Sequence, residues 1–131
     1  ISDVGGPTAN MYDYECEKKL NHGVCEDKRC IFPDTCPALK PDHSPNIKLL
    51  REIEKIDSVK KVFVASGIRY DLVTDDKLHG YEYIRDVIKK HTSGQMKIAP
   101  EHADNKVLEL MGKPGKKSLE KFKDMFHKVL K

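Results

Sequence analysis

The sequence predicts an α/β fold of parallel βαβ units: a slice of a barrel, or of an open α/β sheet, with a cysteine-rich loop inserted near its start. Three observations carry that expectation. Short β-branched runs alternate with apolar stripes at helical spacing. Each run closes on polar residues, where α/β proteins gather ligands. All four cysteines fall between Cys16 and Cys36, in a stretch that proline keeps from becoming one long helix.

In chain order, Ile1 to Val4 reads as the tail of a strand that runs into the turn Gly5-Gly6-Pro7-Thr8. Glycines there let a ligand approach the backbone closely, although such a stretch is more often a simple turn. The loop 16–43 follows as an insertion. Ser44-Pro45 predicts a helix start, with Ser44 as cap and Ile47, Leu49, Leu50, Ile53 and Ile56 as the apolar stripe. Val59 to Ala65 predicts a buried strand that ends on Ser66-Gly67-Ile68-Arg69-Tyr70-Asp71. Thr74 or Asp75 then starts a helix whose inner face is Leu78, Tyr81, Ile84, Val87 and Ile88, with Gly80 as a weak point. Gln95 to Ala99 predicts a further strand, closing on Pro100-Glu101-His102. Asp104 caps a short helix stopped by Gly112, and Ser118 caps a last one carrying Leu119, Phe122, Met125, Phe126, Val129 and Leu130. The whole of 1–131 reads as one domain. Three strands are few for a parallel sheet, and the chain opens on Ile1, so the expectation is a piece of a larger protein.

Composition narrows the function classes. Charged residues make up 34% and the formal net charge is +3, with the two signs interspersed. That is a solvated surface more than a nucleic-acid stripe, so RNA or DNA is only weakly supported as a partner. No apolar run approaches the roughly 20 residues that cross a bilayer, and a cytoplasmic setting with reduced thiols is the default.

Cys16, Cys25, Cys30 and Cys36 are spaced C-x8-C-x4-C-x5-C. Thiolates bind zinc and iron–sulfur clusters strongly, and four complete a tetrahedral site. These gaps are wider than in zinc ribbons, so two disulfides or unrelated free thiols stay open beside the metal reading. His43 is an alternative ligand, more simply a loop histidine. The polar strand ends form the other candidate: Gly5, Gly6 and Thr8, then Ser66, Arg69 and Asp71, then Glu101 and His102. Each has an ordinary reading: Ser66-Gly67 a strand exit, Arg69 and Asp71 a pair with each other, Glu101 a cap of the following helix and His102 a surface residue.

Several strings taken together have a family character. Ser2-Asp-Val-Gly-Gly-Pro-Thr-Ala-Asn-Met-Tyr12, the cysteine loop with Phe32-Pro33 and Cys36-Pro37, Ala65-Ser-Gly-Ile-Arg-Tyr-Asp71, Lys97-Ile-Ala-Pro-Glu-His102 and Leu110-Met-Gly-Lys-Pro-Gly115 resemble the YgiQ-type radical S-adenosylmethionine proteins, in the same order and over essentially the whole chain. The resemblance implies the middle of a partial (β/α) barrel in a much larger protein, with S-adenosylmethionine and a [4Fe–4S] cluster as cofactors. It implies cofactor contacts from Gly5, Gly6, Thr8, Ser66, Arg69 and Glu101, and a zinc ion or auxiliary iron–sulfur cluster at the four cysteines. The partners it implies are S-adenosylmethionine, an unspecified substrate and the remainder of the parent chain. The cluster motif C-x3-C-x2-C is absent here, so the piece is not expected to catalyse alone, and Pro7 stands where a glutamate is usual in the commoner barrels. The competing function is a metal-stabilised module that grips nucleic acid or a protein.

Overall fold

The computed structural model describes residues 1–6 and 8–131; Pro7, part of the predicted turn, lies outside them. It contains six helices: α1 (Glu17–His22), α2 (Ser44–Glu54), α3 (Tyr70–Asp75), α4 (Gly80–Lys90), α5 (Asn105–Leu110) and α6 (Lys116–Leu130). Among the described residues there is no strand and no sheet; pairing is limited to isolated bridges. The expected parallel βαβ units and partial barrel slice are therefore corrected to a helical fold.

The reason lies in where the backbone groups of the expected strands go. The run Val59 to Ala65 forms neither helix nor strand, and its apolar residues Val62 and Val64 are buried, as a strand's would be. Its hydrogen bonds are scattered. Phe63 N–H donates to the Ile1 carbonyl (3.1 Å) and the Phe63 carbonyl accepts from Val4 N–H (2.7 Å), whereas a regular parallel ladder returns that bond from residue 3. Val64 N–H turns instead to the His91 carbonyl (2.8 Å). Side chains take further backbone partners. The Asp3 carboxylate accepts from the amides of Ala65 (2.8 Å) and Ser66 (3.1 Å), and His91 Nδ1 lies 2.9 Å from the Val62 carbonyl oxygen. Ile68 and Ile98 make one parallel bridge and go no further. Buried polar backbone must be satisfied, and here it is satisfied without a ladder.

The helices follow their apolar stripes. In α2, Ile47 and Leu50 are buried and Ile53 packs against the core, while Ile56 lies past the helix end and is exposed. Pro45 sits in the first turn, but the cap position is His43; Ser44 is already helical and its amide donates to Asp42 Oδ1 (2.8 Å). The predicted start at Thr74 or Asp75 is instead the end of α3, which the Arg69-Tyr70-Asp71 cluster opens. The next helix starts at Gly80, so its buried face is Tyr83, Ile84 and Val87, and Leu78 and Tyr81 stay exposed. Asp104 caps α5 as expected, accepting from the amides of Lys106 and Val107. Ser118 lies inside α6, whose cap is Gly115; Phe122 and Val129 are its buried residues. α3 packs against both α4 and α6, and α2 against α4. No helix is long and apolar enough to cross a membrane among the described residues.

Candidate functional site

Three loop segments meet beside the start of α3. Ala9 N–H donates to the Gly67 carbonyl (3.1 Å), which joins the first segment to the second. The Asn10 side chain reads the backbone of Arg69 on both sides: Oδ1 accepts from its N–H (2.8 Å) and Nδ2 donates to its carbonyl (3.0 Å). Ile68 N–H donates to the Lys97 carbonyl (2.9 Å), which joins the second segment to the third. The residues singled out at three separate places in the sequence thus sit on adjacent loops.

Within this rim, Gly5 is pressed onto Ser66. A Cβ on Gly5 would lie 2.7 Å from the Ser66 Cβ. Ser66 hydroxyl donates to Asp3, and that bond, with the Ala65 amide, holds the Asp3 carboxyl below its usual range. Gly6 and Gly67 have open space where a side chain would be. Thr8 is half-buried, its carbonyl accepting from Met11 N–H (3.4 Å). Arg69 is already occupied. Its Nε and Nη2 grip the Asp71 carboxylate (2.8 and 2.5 Å), and Nη2 also donates to the Ile31 carbonyl of the cysteine loop (3.2 Å). The bond from Asp71 raises the Arg69 pKa further. Glu101 adopts a left-handed backbone (φ 65°) and pairs with Lys113 at 2.9 Å. His102 accepts from the Asp104 amide (3.0 Å) at the start of α5.

Behind the rim lies a buried polar clamp centred on His43, which is fully excluded from solvent. His43 Nδ1 is 2.8 Å from Asp76 Oδ2, and the same oxygen accepts the His43 amide (2.8 Å). Asp76 Oδ1 accepts from the amides of Leu78 (3.0 Å) and His79 (2.8 Å). An ionised Asp76 requires the proton on Nδ1, which leaves Nε2 to accept from Asn10 Nδ2 (3.0 Å) and from the Tyr14 hydroxyl (3.1 Å). Tyr83 stacks on the imidazole at 4.6 Å between centroids. The clamp ties the first loop, the end of the cysteine loop and the α3–α4 junction together. Asn10, Tyr14 and Asp76 carried no sequence signal of this role, because their partners are remote in the chain.

Burial lowers the His43 pKa below the ordinary 6.5, although Asp76 pulls the other way. Burial pushes Asp76 up, but the amide of His79 and the His43 bonds outweigh it and hold Asp76 below 3.8. A depressed folded pKa means that the unfolded chain binds more protons as pH falls, so both groups stabilise the fold at neutral pH and less in acid. For His43 the loss sets in below 6.5 and for Asp76 only below 3.8. The urea midpoint is expected to fall between roughly pH 7 and pH 5. In His43→Gln the slope in that window should flatten; an unchanged slope would assign it to other groups.

Comparison with curated proteins gives relatives over nearly the whole chain. A UPF0313 protein of Fusobacterium nucleatum is 54% identical over 129 residues, which are 98% of this chain and 23% of that protein. A UPF0313 protein of Methanocella arvoryzae is 44% identical over the full 131 residues, 21% of its length. A UPF0313 protein of Vibrio parahaemolyticus is 45% identical over 128 residues, 16% of its length. The chain is homologous to a segment of the UPF0313 proteins. It spans about a fifth of the length of the curated relatives it matches. No family model matches it, and no solved structure matches it.

In this chain the four cysteines are free thiols. Among the described residues, no three of their sulfurs lie within 4.8 Å of one another. The three ligand-type side chains that do converge are Asp42, Asp76 and His79. Asp76 accepts four N–H bonds, which fill the lone pairs of both its oxygens, so this trio is better read as part of the clamp than as a cation site.

Proposed function

We propose that the chain is part of a radical S-adenosylmethionine iron–sulfur protein of the reducing cytoplasm, and that its loop rim contributes the surface that holds S-adenosylmethionine. The supporting observation is the meeting of residues 3–6 and 8–10 with segments 66–69 and 97–101, from the strings that carry the family resemblance, in a chain homologous to the UPF0313 proteins. The rim fits a zwitterionic ligand with a ribose. Gly6 and Gly67 leave open space beside their backbones, and the anionic Asp3 with the Ser66 hydroxyl offers partners for an ammonium group or sugar hydroxyls. When bound, S-adenosylmethionine with a reduced cluster from elsewhere in the longer protein supplies the radical chemistry. This chain's own residues bind and orient. Arg69 and Glu101, expected as direct contacts, have their side chains engaged by Asp71 and Lys113, which makes them positioning residues of the rim. No step is assigned to a metal at the four cysteines.

The test is calorimetric titration of S-adenosylmethionine into the anaerobically purified full-length protein with its cluster reconstituted. Binding is expected, with Asp3→Asn weakening it about tenfold, the worth of one charge-assisted hydrogen bond. Absence of binding in the cluster-loaded protein would overturn the proposal, and an unaffected Asp3→Asn would remove this rim from it.

A further inference from the structure

We infer that Cys30 and Cys36 form a dithiol pair built to close as a disulfide, a modification site separate from any four-cysteine metal site. The argument starts from the backbone. Cys36 N–H donates to the Cys30 carbonyl at 2.8 Å, and Ile31 and Thr35, the residues just inside them, form an antiparallel bridge. Cys30 lies in the tight turn that the Arg29–Phe32 bridge closes, and its carbonyl is the group that holds Cys36. Standard bond lengths added to the observed hydrogen bond keep their Cα atoms within about 7 Å, the limit for a bridgeable pair. Cys30 is exposed and Cys36 half-buried, so a small oxidant reaches the first and the second is placed to resolve it.

The chemistry closes with a low-molecular-weight disulfide as oxidant. The Cys30 thiolate attacks one sulfur of that disulfide, forming a mixed disulfide and releasing one small thiolate. The Cys36 thiolate then attacks the Cys30 sulfur, forming the Cys30–Cys36 bond and releasing the second small thiolate. Cys30 and Cys36 lose two electrons and two protons between them, and the small disulfide becomes two thiols. The consequence reaches the rim. The same hairpin places the Ile31 carbonyl on Arg69 and the Thr35 hydroxyl on Asp75 (2.6 Å), so the cross-link staples the segment that positions Arg69.

The test is oxidation of the reduced 131-residue chain with oxidised glutathione, followed by alkylation of free thiols and tryptic mapping. Lys40 precedes Pro41 and resists trypsin, so Cys30 and Cys36 leave in one peptide, 30–48, apart from Cys16 and Cys25. Under native conditions that peptide is expected to be unalkylated and two hydrogens lighter, with Cys16 and Cys25 alkylated. In urea, where the three nearest pairings close loops of similar length, its share should drop about tenfold relative to the others. An identical distribution in native buffer and urea would overturn the inference, as would a native product joining any other pair. A zinc titration supplies the last arm: equal protection of all four thiols by one zinc per chain would replace the pair by a four-ligand site.

Discussion

Asp76→Ala is expected to cost the fold roughly 3–5 kcal/mol, the range seen when one partner of a buried charge-bearing network is removed. The side chain is only 2% exposed and accepts four N–H groups: the amides of His43, Leu78 and His79, and the His43 imidazole. Alanine removes every one of those acceptors at once. A buried donor left without a partner costs about 1–3 kcal/mol, so even partial hydration of the Leu78 amide leaves a large sum. The imidazole loses the group that fixes its tautomer, and Asn10, which grips both His43 and the Arg69 backbone, loses its support. Domains of this size have about 5–15 kcal/mol in total, so urea unfolding followed by circular dichroism should find the variant near its midpoint in little denaturant. Asp76→Asn keeps one oxygen acceptor and should fall between the two. A loss below about 1 kcal/mol for alanine would mean that water replaces the carboxylate and that the clamp does not hold the loops.

What the sequence made legible follows from the range of each interaction. The stripes of α2, α4 and α6 depend on neighbours three and four positions apart, and Ile47, Leu50, Ile84, Val87, Phe122 and Val129 are all buried as their spacing predicts. The Asp104 cap is equally local. The strands were not so decidable. Val59 to Ala65 has the composition of a buried strand and buries Val62 and Val64, but a ladder needs partners in register, and here Asp3 and His91 take part of the bonding instead. α3 was hidden because Arg69-Tyr70-Asp71 carries polar side chains, and only their tertiary partners show that the segment turns inward. Of the candidate site, the adjacency of the Gly5, Ser66 and Glu101 segments could be anticipated. The clamp could not: His43 meets Asp76 across 33 positions, and a histidine before a Ser-Pro helix start looks like any loop histidine until its partner is known.

Gly80→Ala is the second substitution with a large expected effect, and local propensity and packing give it opposite signs. Glycine in a helix is worth up to about 1 kcal/mol less than alanine, so on the sequence alone the change should stabilise α4. The α3–α4 elbow reverses this. A Cβ on Gly80 would stand 2.0 Å from the Val73 carbonyl oxygen and 3.1 Å from its carbon, with the Asp76 Cβ at 3.4 Å on the far side. The two Val73 atoms are backbone atoms of a fully buried residue, not the end of a flexible side chain, so relief requires α4 to move off α3. The movement would disturb Tyr83, Ile84 and Val87, which pack in the core from the same helix, and it would pull on Asp76, whose carbonyl accepts the Gly80 amide at 3.2 Å. Overpacking a tight site costs typically 1–3 kcal/mol, and the closeness of this contact places the expected loss near about 3. Gly94→Ala, with nothing within 4 Å of the new methyl, is the matched control and should change the urea midpoint little. A Gly80→Ala chain as stable as the parent would show that the elbow is not packed this closely. In that case Asp76 would no longer be held by the helix junction, and the large loss expected for Asp76→Ala should shrink with it.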